Sequence, residues 1–171
     1  MATTTVNSDR AAFLEKVCSY RDKGVAAEYA LILDELIQWS AKWPKLKHLP
    51  NTGSQDVVRF VVSETGLVFW AAYAGFKVDA KVVFLCRPSD SVPEETRDGL
   101  RAALKAYGDR NDNIGTGIPT VRLGRVKQLG GIRPVLEKLG PILEALLVCK
   151  VRPSSDDTAN RSGELLAVEE E

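Results

Sequence analysis

An α+β fold follows from three observations. Two stretches with apolar residues every three or four positions open the chain. The period then drops to two over residues 57–87, and helical spacing returns after residue 93. The expected element order is ααβββαβα, with helices packed on one face of a mainly antiparallel sheet.

The first helix is predicted from about Asp9 to Asp22, with Ser8 as its cap and Phe13, Leu14, Val17 and Cys18 along one side. Gly24 closes it. The second, about Val25 to Ala41, carries Tyr29, Ile32, Leu33, Leu36, Ile37 and Ser40 on a single stripe. Trp43-Pro44 stops it, because a residue before proline avoids helical backbone.

Val57–Val62, Leu67–Ala74 and Val78–Arg87 read as strands rich in β-branched and aromatic residues. Glu64-Thr65-Gly66 and Gly75-Phe76-Lys77 are short glycine-bearing turns, and connections this short require antiparallel neighbours. If Ser63 faces Leu67, Phe60 falls beside Trp70. One sheet face then holds Val58, Phe60, Val62, Val68, Trp70 and Ala72, matched by Val78, Ala80, Val82, Phe84 and Cys86. The opposite face is mixed: Arg59, Val61, Ser63, Phe69, Tyr73, Asp79, Lys81, Val83 and Arg87.

Pro93-Glu94-Glu95 opens a third helix, a placement that suits both proline and the helix dipole. Leu100, Ala103, Leu104 and Tyr107 form its stripe. A fourth strand is predicted over about Thr120 to Leu123, and a last helix over about Ile132 to Val148, kinked or split at Gly140-Pro141. Residues 8–150 form one domain between polar residues 1–7 and an acidic tail, 151–171, both expected to be disordered.

Net charge is zero, but it is unevenly spread. The tail holds two basic residues, Arg152 and Arg161, and six acidic ones, which leaves residues 1–150 with 21 basic against 17 acidic out of 23 of each. A mildly basic body with an acidic tail suits a polyanionic partner. The longest apolar run, Leu67 to Ala74, is too short for a bilayer, and the N-terminal residues carry no secretory pattern. Cys18, Cys86 and Cys149 are scattered among apolar residues, so buried, reduced thiols and a cytoplasmic location are expected.

Several chemistries are excluded by spacing. Asp109-Arg110-Asn111-Asp112-Asn113 opens like a calcium loop, but Ile114 stands where the turn needs glycine and Thr120 where a bidentate acid belongs. Gly115-x-Gly117 has neither the third glycine nor the lysine of a phosphate loop, and it leads into a strand. His48, the only histidine, lies in the Lys45–His48 linker and is expected to be solvated.

Three function classes remain. Aromatic rings beside cations on a sheet can stack bases and hold phosphates. That assigns ligand contacts to Arg59, Phe69, Tyr73, Lys81 and Arg87, joined by the basic run Arg122, Arg125, Lys127 and Arg133. This binding reading has no catalytic residue, metal or cofactor. The enzymatic alternative uses Asp56, Asp79 and Lys81 as a degenerate D…DxK site, in which carboxylates hold Mg²⁺ and the lysine steadies charge. A third possibility is homodimerisation through Phe69 and Tyr73.

The hairpin, the Pro93-x-Glu95 helix, Asn113-Ile114-Gly115-Thr116-Gly117 and Val121-Arg122-Leu123 together resemble a small uncharacterised bacterial domain. That domain is often appended to predicted PD-(D/E)XK nuclease-like proteins and is sometimes named predicted transport protein. Looser similarity covers about residues 56–147 and departs at Gly124–Gly131, which adds a basic segment. The resemblance implies a non-catalytic domain with a nucleic acid or a nuclease-like protein as its partner, and it assigns no residue a role.

Overall fold

The computed structural model describes residues 2–52, 56–75, 79–85, 92–107 and 120–148. It is an α+β protein. The described elements are α1 (Ala2–Cys18), α2 (Lys23–Ala41), β1 (Leu46–His48), β2 (Val57–Val62), β3 (Val68–Tyr73), β4 (Lys81–Phe84), α3 (Glu94–Leu104), β5 (Thr120–Arg122), α4 (Leu123–Gln128) and α5 (Arg133–Val148). All five strands join one antiparallel sheet in chain order.

The expected meander is β2-β3-β4. It gains β1 on one edge, where the sequence reading placed a linker, and β5 on the other. Gly66 sits at φ 69° in the first hairpin, the left-handed backbone that the turn demands of glycine. The α1–α2 boundary also moves. Asp22 ends no helix; its carboxylate accepts the Val25 N–H at 2.9 Å and caps α2, with Gly24 inside the first turn. Helix α1 begins at Ala2, so residues 2–7, expected to be disordered, are helical, with Val6 packed against the core. Helix α5 continues through Pro141, because Val135, Leu136, Leu139, Leu143 and Leu146 bury one continuous stripe spanning the lost backbone bond. The predicted tail, 151–171, lies outside the described residues.

A single core joins the helices to one sheet face. Val58, Phe60, Val62, Trp70, Ala72, Ala80, Val82, Phe84 and Val121 pack with Phe13 and Val17 of α1, Leu33 and Leu36 of α2, Leu100 of α3, and Leu139 and Leu143 of α5. Across it runs a cross-strand row, His48–Phe60–Trp70–Phe84. Phe60 and Trp70 stack at 4.9 Å, as their predicted adjacency requires. The one polar atom that Trp70 buries is satisfied: its indole N–H donates to Ser40 Oγ at 2.8 Å, and Ser40 donates in turn to the Leu36 carbonyl.

Alternation breaks once. Phe60 pairs with Trp70, but Val61 pairs with Val68, and the Val62 N–H reaches the Leu67 carbonyl, so Ser63 does not face Leu67. Phe69 is the extra residue of this bulge. Val68, expected under the helices, is only half-buried as a result. Val78 and Cys86 lie outside the described residues.

Candidate functional site

Period-two alternation through the observed register defines the face opposite the helices. It carries Lys47 from β1, Val57, Arg59 and Val61 from β2, Ala71 and Tyr73 from β3, Lys81 and Val83 from β4, and Thr120 and Arg122 from β5. Ala71 and Val83 are buried at its centre, outside the helix-side core. Lys47 and Lys81 are exposed, and Arg59, Tyr73 and Arg122 are half-buried.

Tyr73, Lys81 and Arg122 form one direct cross-strand row. Arg59 stands two residues along from Val57, the partner of Tyr73, so it lies diagonal to that ring. Its guanidinium donates to Asn51 Oδ1 at 2.9 Å, while Asn51 Nδ2 donates to the Val57 carbonyl at 2.6 Å. This relay orients the arginine against the strand. At the described strand positions of this face there are four basic side chains and no acidic one.

Two groups of predicted residues do not belong here. Phe69 is fully buried: it stacks on Trp39 of α2 at 6.1 Å and meets Phe84 edge-on at 6.4 Å. The bulge turns this ring from the mixed face into the core, so Phe69 can touch neither a ligand nor a second copy. Arg125, Lys127 and Arg133 sit in the helical layer. Lys127 pairs with Glu28 at 2.5 Å and Arg133 with Glu35 at 3.5 Å, both on α2, and Arg125 reaches the Ala106 carbonyl and Gln128. Arg87 lies outside the described residues.

The D…DxK residues are not assembled as a metal site. Asp79 precedes β4, and its carboxylate turns to the helices. It accepts from the Tyr29 hydroxyl of α2 and, at 2.9 Å, from the Gly124 N–H of α4; Arg21 stands 3.6 Å away. A methyl group at Gly124 would come within 2.5 Å of Asp79 Oδ2, so the close approach requires glycine. Asp56 flanks the other edge of β3, its carbonyl bonded to the Ala74 N–H, about two strand spacings (~10 Å) from β4. Lys81 remains on the opposite face. Among the described residues no three His, Cys, Asp or Glu side chains gather as metal ligands.

Around Asp79 two tyrosines are perturbed. Burial pushes the Tyr29 phenol well up, and its bond to Asp79 adds to this. Burial, then the Asp79 charge, raises Tyr20, whose hydroxyl donates to the Ala74 carbonyl. The cluster ties the α1–α2 turn, the end of β3 and the start of α4 into one joint.

His48 departs from its expected solvated state. Its side chain is only 8% exposed, with Nε2 2.9 Å from Asp9 Oδ2, and Asp9 also accepts the Asn51 N–H. Strand β1 carries it under α1. Cys18, expected to be buried, is exposed near the end of α1. Lys47 is the site residue that sequence reasoning missed: Leu46-Lys47-His48 is three residues long and lacks β-branched side chains, so only pairing reveals it as a strand.

Among the described residues no helix is long and apolar enough to cross a membrane. Comparison with protein-family models, curated proteins and solved structures gives no match.

Proposed function

We propose that this chain is a cytoplasmic, non-catalytic binding module that contacts nucleic acid, or an enzyme acting on it, through the sheet face opposite the helices. The observation that carries this reading is the cross-strand row Tyr73–Lys81–Arg122, with Arg59 diagonal to the ring. A ring offers a stacking surface and the cations meet phosphates, a combination that binds without reading sequence. The basic excess of residues 1–150 and the resemblance to a nuclease-associated domain point the same way. The reading no longer includes Phe69, Arg125, Lys127 or Arg133.

Filter binding of a mixed nucleic-acid pool at about 50 and 200 mM salt tests it: affinity should fall steeply with salt, as counterion release requires. No retention at the lower salt, or retention indifferent to salt, removes the reading. Plasmid nicking with Mg²⁺ that disappears in Asp79→Ala would replace it with the nuclease alternative. The commitment of Asp79 to Tyr29 and Gly124 argues against that outcome.

A further inference from the structure

We draw no further inference here: the strongest candidate, the surface patch of exposed Leu31 on α2 and Leu129 at the end of α4, flanked by the Glu28–Lys127 and Glu35–Arg133 ion pairs, is an unpartnered apolar surface, and nothing in the structure shows what covers it.

Discussion

On the helix side of the sheet, Phe60, Trp70, Phe84 and Val121 join residues of five helices in a continuous core, and the charged groups of that layer are largely paired across elements. Asp79 is held by Tyr29, Gly124 and Arg21, Asp9 by His48, Asp34 by Arg10, Glu28 by Lys127 and Glu35 by Arg133. On the other side, the same strands present small aliphatic residues, one tyrosine and four cations without an acid at their described positions. The difference teaches where to look for stability and where for binding. Charges that neutralise one another join elements.

The largest effect should come from the aromatic row. Phe60→Ala or Trp70→Ala removes a stacked, buried ring and should lower unfolding free energy by about 3–5 kcal/mol in chemical denaturation. A loss as small as that of a surface change would mean that the helix-side core does not carry the fold.

Next comes the Asp79 joint. Asp79→Ala strands the Tyr29 hydroxyl, the Gly124 N–H and a nearby guanidinium, and should cost about 2–4 kcal/mol. Gly124→Ala should weaken the same joint by displacing the carboxylate, a smaller loss because alanine favours helix. If Asp79→Ala is as stable as the parent protein, the carboxylate is free for the metal chemistry that the alternative reading requires. Ser40→Ala leaves the Trp70 indole N–H unsatisfied in the core and should cost about 1–3 kcal/mol, read in the same denaturation experiment.

The joint also predicts a pH dependence. The Tyr29 phenol is raised in the folded state, so folding holds that proton more tightly than the unfolded chain does. Its contribution is complete below the ordinary tyrosine value of about 10 and is lost as pH rises beyond it. Urea midpoints should therefore fall as pH rises above about 10, and Tyr29→Phe should flatten that fall. The smallest stability effect belongs to the other face: Lys47→Ala and Lys81→Ala should stay within about 0.5 kcal/mol of the parent.

Much of the fold was legible because hydrophobic period reports burial. The α2 stripe and the buried set Val58, Ala72, Val82 and Phe84 follow from spacing alone, whereas the Phe60–Trp70 adjacency was expected from a Ser63–Leu67 pairing and is reached instead through the bulge. What was not legible depended on a partner in space. The bulge at Phe69 needs a register break that alternation does not encode, and it moved the most aromatic candidate from surface to core. Strand β1 is defined by its pairing with β2, so Lys47 and the burial of His48 went unseen. Asp79 and Lys81 are two apart in sequence, yet Asp79 lies just outside β4, where Tyr29 and the start of α4 take its carboxylate. Arg122 and Arg125 look like one basic run, but the turn from β5 into α4 sends them to different layers.

The central claim is that the basic sheet face, and not the basic helical layer, meets the ligand. Amide chemical-shift mapping with a short oligo(dT) tests it most directly. The account predicts perturbations concentrated at Lys47, Arg59, Tyr73, Lys81 and Arg122, with Arg125, Lys127 and Arg133 unmoved. Shifts confined to α4 and the start of α5, with the five strands silent, would contradict it.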